Sequence, residues 1–186
     1  AAASAAHIFP KRHKHVRETI EIMTGIWTND IFEYHGEFAD FEPAGFGAKP
    51  VQHPHPPIYF SGLKDPKRSA NRIAKYGLAG WIGIQDTPDE IVRWKTEINR
   101  ELAEIGSDRS LDDGFDMCSM IWFTITDTET DQTDNHKLTN LLVGTEQQIT
   151  DRLKAYKEAG MTMPLIWPPF ADVPVSKTLD DLKRLV

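Results

Sequence analysis

The residues best suited to bind a ligand lie in one segment, which runs from Ser61 to Ser69. Its glycine lets the backbone approach a ligand closely, and its proline, Pro66, is placed to begin a helix whose first N–H groups attract an anion. Its lysines and arginine add charge, and charge-assisted hydrogen bonds are the strong ones. The segment therefore predicts an anion-binding loop, with neither Arg68 nor Ser69 on the apolar face of the helix. The candidate binding residues are Ser61, Gly62, Lys64, Lys67, Arg68 and Ser69.

An alternative interpretation is that the basic residues of this segment only form a solvated helix face. Lys67, Arg68, Arg72 and Lys75 recur at spacings typical of one side of a helix. Sequence alone leaves both interpretations open.

Other reactive side chains do not form a recognisable centre. The histidines occur as two His-x-His pairs, His13 with His15 and His53 with His55, but no cysteine or carboxylate cluster completes a metal-ligand set. We therefore expect no metal. The single cysteine, Cys118, forms no internal disulfide, and no Ser-His-Asp or paired-carboxylate arrangement identifies a catalytic residue.

Composition restricts the class of protein. The 186 residues are 40% hydrophobic and 26% charged, which is ordinary for a globular chain, and we expect one domain over 1–186. A net charge of -7 argues against a nucleic-acid partner. No apolar run approaches the roughly 20 residues that span a bilayer. These features predict a soluble, cytoplasmic protein.

The first third of the chain predicts a helix and a hairpin ahead of the candidate loop. Residues 1–11 are expected to be a lead-in. Val16, Ile20, Met23 and Trp27 recur as one apolar helical stripe. Aromatic residues on both sides of His35-Gly36 predict a hairpin. Residues 42–57 hold five prolines and are predicted to be a surface loop.

The remainder alternates between strands and helices. Parallel strands are predicted near residues 57–61, 79–84, 116–126 and 161–167, each followed by a helix. Thr87 with Glu90, and Thr145 with Gln148, have the spacing of a capping box at a helix start. Four such units make an α/β fold equal to half of a (β/α)8 TIM barrel, for which a complete chain needs about 250 residues. A smaller doubly wound sheet is the alternative.

Several stretches resemble the bacterial-luciferase-like family of flavin-dependent monooxygenases. The most specific of them is Lys49-Pro50-Val51-Gln52-His53-Pro54-His55-Pro56-Pro57-Ile58. Residues 18–27, Tyr34-His35-Gly36, Gly80-Trp81, residues 143–149 and Ala159-Gly160 match in the same order. The resemblance implies that this chain supplies the C-terminal half of the barrel and that the first four units would precede residue 1.

The resemblance also implies an activity and a cofactor. It implies an oxidoreductase, most simply a monooxygenase, that acts on a small organic substrate with reduced FMN and O2. Hydride transfer with the deazaflavin coenzyme F420 is the alternative, and a non-catalytic flavin-binding relative is an alternative of another class. The loop from Ser61 to Ser69 would hold the flavin phosphate, and Trp167 would touch the flavin ring or the substrate. A separate flavin reductase and a homodimer are further implications.

Overall fold

The chain forms two compact units, residues 1–57 and 58–186. The structure is a computed structural model, and it describes residues 9–62, 65–84, 86–130, 140–168 and 173–185. That the two units make up a single domain stays a prediction.

The first unit consists of a helix and a two-stranded hairpin. A 3₁₀ turn at Phe9–Lys11 leads into α1, Arg12–Thr28, as the apolar stripe predicts. Strands β1, Ile31–His35, and β2, Asp40–Gly45, pair in antiparallel fashion. Residues 42–45 belong to β2, so the loop that was predicted over 42–57 begins only after residue 45. Glu18 is buried and accepts the backbone N–H groups of Glu37 and Phe38, so it stabilises the hairpin turn.

The second unit alternates strands with helices. Its strands are β3, Tyr59–Ser61, β4, Gly80–Gly83, β5, Asp116–Ile125, β6, Leu141–Gly144, and β7, Met163–Trp167. Its helices are α2, Pro66–Tyr76, α3, Pro88–Glu104, α4, Glu146–Glu158, and α5, Val175–Leu185. Both predicted capping boxes are present, so the starts of α3 and α4 are set by local sequence.

The five strands described in the second unit are parallel, as predicted for four of them. Strands β3, β4, β5 and β7 lie side by side in chain order. Right-handed crossovers between strands that advance in one direction place every connecting helix on the same face. A doubly wound sheet would instead reverse its order at a switch point. The topology is that of a partial (β/α)8 barrel, and the doubly wound alternative is wrong.

Strand β6 corrects the prediction that a helix directly follows each strand. Cys118 pairs with both Ile82 and Met163, so β4 and β7 lie on opposite edges of β5. Trp122 pairs with both Leu141 and Trp167, so β6 and β7 are also on opposite edges. Strand β6 therefore continues the edge occupied by β4, towards the carboxyl end of β5.

The core lies between the sheet and the helices. Alternate residues of β5 from Met117 to Ile125 are buried, and the residues between them are more exposed, except for Cys118, which is also buried. Since the helices share one face, the buried set points towards them. The largest buried side chains of the helices are Ile73, Ile91, Ile98, Leu102, Ile149 and Tyr156.

Candidate functional site

The predicted anion-binding segment begins at the carboxyl end of β3. Ser61 is the last residue of this strand and is exposed. Gly62 follows with a φ of 78°, a conformation that a side chain would strain, and a Cβ there would meet nothing within 4 Å. The glycine is thus required by backbone conformation, and the open space beside it leaves the backbone accessible to a ligand. Carboxyl ends of parallel strands are where barrel enzymes bind their ligands.

The segment continues into the first turn of α2. Asp65 caps this helix, and its carboxylate accepts the N–H of Arg68 at 3.0 Å. Pro66 occupies the first helical position, as predicted. Lys67 and Arg68 are exposed beside it. Lys64 lies outside the described residues.

Ser69 does not have the exposed position that the sequence suggested. It is 1% exposed and lies with Ala70 and Ile73 on the buried face of α2, so its assignment to the polar face is wrong. Its hydroxyl donates to the carbonyl oxygen of Asp65 at 2.7 Å. This bond holds the start of the helix and uses the hydroxyl hydrogen that a phosphate would need.

The electrostatics of this helix start are mixed. Arg68 Nε lies 3.7 Å from Asp65 Oδ2, and both side chains are more than half exposed. In the next turn, the guanidinium of Arg72 lies 4.9 Å from the centre of the Phe60 ring. Burial, reinforced by the charge of Arg68, lowers the pKa of Arg72. A phosphate would therefore meet Lys67 and Arg68 as cations and Asp65 as a competing anion.

Trp167 lies at the same carboxyl end of the sheet as Ser61 but on a different strand. It ends β7, is 58% exposed, and pairs in register with Trp122. Strands β4 and β5 separate β3 from β7, a distance of about 14 Å across the sheet at about 4.8 Å per strand. The fold thus brings Trp167 and Ser61 to the same end of the sheet on strands that are not adjacent.

Sequence analysis did not identify a buried carboxylate at the carboxyl end of β4. Asp86 is 1% exposed, and its backbone carbonyl accepts the hydroxyl of Tyr156 at 2.9 Å. Burial raises the pKa of Tyr156 to about 12. A Cβ at Gly83 would lie 2.1 Å from Oδ2 of Asp86, so this glycine makes room for the carboxylate. The capping box that starts at Thr87 is a local signal for this turn, but nothing in the sequence links Asp86 with Tyr156.

A second group of polar residues lies at the opposite end of the sheet. A cavity of about 650 Å³ opens there, near the amino ends of β5 and β7. Lys95 Nζ lies 2.7 Å from Asp112 Oδ1, and this hydrogen bond lowers the pKa of Asp112. Because the amino ends of barrel strands serve stability rather than catalysis, we assign this group a structural role.

The remaining candidates have structural surroundings. Burial raises the pKa of the Cys118 thiol, which makes it a poor nucleophile. His15 packs edge-on against Phe38, and His55 packs near Trp27. Within the described part of the chain, no three His, Cys, Asp or Glu side chains converge as metal ligands. No described helix is both long and apolar enough to cross a membrane.

Comparison with known proteins identifies the family to which this partial barrel belongs. The family model of the luciferase-like monooxygenases matches residues 4–139. The chain belongs to the luciferase-like monooxygenase family.

Two curated relatives match about half of the chain. Over 99 residues it is 29% identical to an FMNH2-dependent dimethylsulfone monooxygenase of Pseudomonas putida, covering 52% of this chain and 27% of that protein. Over 98 residues it is 36% identical to an uncharacterized protein of Mycobacterium bovis, covering 53% of this chain and 32% of that protein. The chain thus matches under a third of the length of these relatives.

A solved structure shows the same fold over almost the whole chain. An F420-dependent secondary alcohol dehydrogenase, in complex with an F420–acetone adduct, superposes with a TM-score of 0.70. The superposition covers 95% of this chain and 63% of the dehydrogenase, at 15% sequence identity. This likeness supports the partial barrel that the strand order indicates.

Proposed function

We propose that this chain is part of a flavin-dependent oxidoreductase, specifically a monooxygenase that oxidises a small organic substrate with reduced FMN and O2. The observation that carries the proposal is the loop at the carboxyl end of β3. Gly62 has a positive φ and open space beside it, and the start of α2 follows with two exposed cations. Family membership supplies the class of reaction.

The residues of this loop fit a phosphate group. The guanidinium of Arg68 and the ammonium of Lys67 suit a dianion, and the backbone at Gly62 and the hydroxyl of Ser61 add neutral donors. Lys64 belongs to the same proposed set. We assign Ser69 a positioning role, because its hydroxyl already donates to the carbonyl of Asp65.

Reduced FMN, when bound, supplies the electrons with which O2 is activated. The protein then has three tasks: to anchor the phosphate, to orient the ring and to exclude water. Trp167, exposed at the carboxyl end of β7, is the proposed contact for the ring or the substrate. A separate flavin reductase would supply the reduced cofactor, and we propose that the protein is a cytoplasmic homodimer.

Hydride transfer with F420 is the second candidate function. The observation in its favour is the TM-score of 0.70 with the F420-dependent dehydrogenase. The two candidates differ in which cofactor binds, so we expect FMN rather than F420 to raise the melting temperature. A rise with F420 alone would replace the proposal by this second candidate.

The test of the phosphate loop compares FMN with riboflavin, which lacks the phosphate. We expect Arg68→Ala to weaken FMN binding about tenfold, or about 1.4 kcal/mol, because a charged hydrogen-bond partner is lost. Riboflavin affinity should change little. Lys75→Ala is the matched control, since it removes one cation from the same helix about two turns away. Equal losses for FMN and riboflavin, or for the two variants, would show that the loop does not hold the phosphate.

A further inference from the structure

The face of the sheet opposite the helices is apolar and partly open. Paired residues of parallel strands point to the same side, and side chains alternate along each strand. Since Met117 and Ile121 point towards the helices, Met120 and Trp122 point away from them. The apolar residues that register places on this open face include Ile82, Met120, Trp122, Met163, Leu165 and Trp167. Among these, Met163 is 42% exposed and Trp167 is 58% exposed.

Among the described strands, charged side chains are confined to one end of this open face. Within the described strands, its one carboxylate is Asp116, at the amino end of β5. That carboxylate accepts the hydroxyl of Tyr59 at 2.6 Å and that of Thr162 at 3.1 Å. The described strands place no lysine, arginine or histidine on this face. The carboxyl half, where a barrel enzyme binds its substrate, therefore offers apolar and aromatic surface without a counter-ion.

From this distribution we infer that the substrate is an uncharged, largely apolar molecule and not a carboxylate or sulfonate. The inference rests on the proposed function, which makes this face part of the substrate pocket. An anion buried against Trp122 and Trp167 would lose its hydration without gaining a cationic partner from the described strands, and that desolvation is costly. The cations at Lys67 and Arg68 lie on the far side of β4 and are assigned to the cofactor phosphate. Trp122 and Trp167 become specificity-determining residues.

The test uses two probes of equal chain length, 2-nonanone and nonanoate. Their affinities for the FMN-containing protein are measured by quenching of tryptophan fluorescence. We expect 2-nonanone to bind at least tenfold more tightly than nonanoate. Trp167→Arg, at a side chain exposed enough to tolerate charge, should shift this ratio at least tenfold towards nonanoate. Leu179→Arg, at a half-exposed position on α5, is the control and should leave the ratio unchanged.

Three results would overturn the inference. One is nonanoate affinity equal to or above that of 2-nonanone in the unsubstituted protein. Another is the same shift in both arginine variants. The third is an absence of 2-nonanone binding, together with a lower assembly mass for Trp167→Arg, which would mean that a second copy covers the face. Melting temperatures verify that the variants fold. The comparison of FMN with riboflavin tests the proposed function separately.

Discussion

The carboxylate of Asp65 caps the start of α2 and would also repel a phosphate bound there. As N-cap, it accepts the N–H of Arg68, and a negative charge at this position also favours the helix dipole. The same charge lies 3.7 Å from the guanidinium of Arg68 and would repel a phosphate bound there. A site optimised only for affinity would keep the cap and omit the charge.

Asp65→Asn should therefore strengthen FMN binding. Asparagine caps a helix about as well as aspartate, so the fold is retained while the repulsion is lost. Because both groups are exposed, we expect a gain of about 0.5–1 kcal/mol, or about two- to fivefold in Kd. Titrations with FMN and riboflavin measure it. A gain that is the same for riboflavin, or a weaker affinity for FMN, would count against a phosphate at this position.

His35 provides a test of pH dependence in the first unit. Its Nδ1 lies 2.7 Å from Asp40 Oδ1, and this hydrogen bond raises the pKa of His35 above 6.5. The folded state therefore holds this proton more tightly. The resulting stabilisation is complete at pH values below the unfolded pKa and is lost as the pH rises through the folded pKa.

Asp40→Asn should lower the pKa of His35 back towards its ordinary value. The reason is that the substitution removes the carboxylate that makes the largest contribution. NMR titration of the His35 ring measures the change, with Glu33→Gln as the control for a more weakly coupled carboxylate. A pKa that moves equally in both variants would mean that only the general negative charge of the hairpin acts on His35.

At the scale of elements, Asp116 connects three strands at the amino end of the sheet. Tyr59 on β3 crosses above β4 to reach it, and Thr162 approaches from the start of β7. The crossing requires Gly80, where a Cβ would lie 2.6 Å from the Tyr59 ring and 2.7 Å from the carbonyl oxygen of Asp116. The hydrogen bond to Asp116 also raises the pKa of Tyr59.

A double-mutant cycle measures the strength of this connection. Tyr59→Phe and Asp116→Asn should each lower the free energy of unfolding, and their coupling should be about 1 kcal/mol, the net worth of a hydrogen bond. Urea denaturation of the two single variants and the double variant provides the data. Additive effects within about 0.3 kcal/mol would mean that Tyr59 and Asp116 act independently.

Elements whose signals are local could be predicted from the sequence, and elements that depend on tertiary contacts could not. Thr87 with Glu90 marks the start of α3 within four residues, and the apolar stripe from Val16 marks α1. Strand β6 has four residues and no alternation, so it has no signature of its own. Ser69 follows two exposed cations in the sequence but lies on the apolar side of α2 with Ala70 and Ile73, so local charge does not indicate its burial. The pairing of Asp86 with Tyr156 joins residues that are 70 positions apart.

At the scale of the whole molecule, the outer strands of the described sheet each have one unpaired edge. Among the described strands, β3 pairs only with β4, and β7 pairs only with β5. Open edges present unpaired backbone groups to other strands. They favour association through strand pairing, and the family resemblance implied a dimer for the same chain.

We therefore predict a homodimer at micromolar concentration, with a mass about twice the 21.1 kDa of the chain. Sedimentation velocity measures this mass.

Added salt distinguishes the two possible modes of association. A dimer that pairs through strand edges should persist at 1 M salt. An association through charged residues should weaken, because the Debye length is then only about 3 Å. Met163→Lys, at the exposed start of β7, should favour the monomer, because lysine on an edge strand blocks further pairing. Val175→Lys, at a more exposed position on α5, is the matched control. A monomer in the unsubstituted protein, or equal dissociation in both variants, would show that the edges of the sheet do not drive assembly.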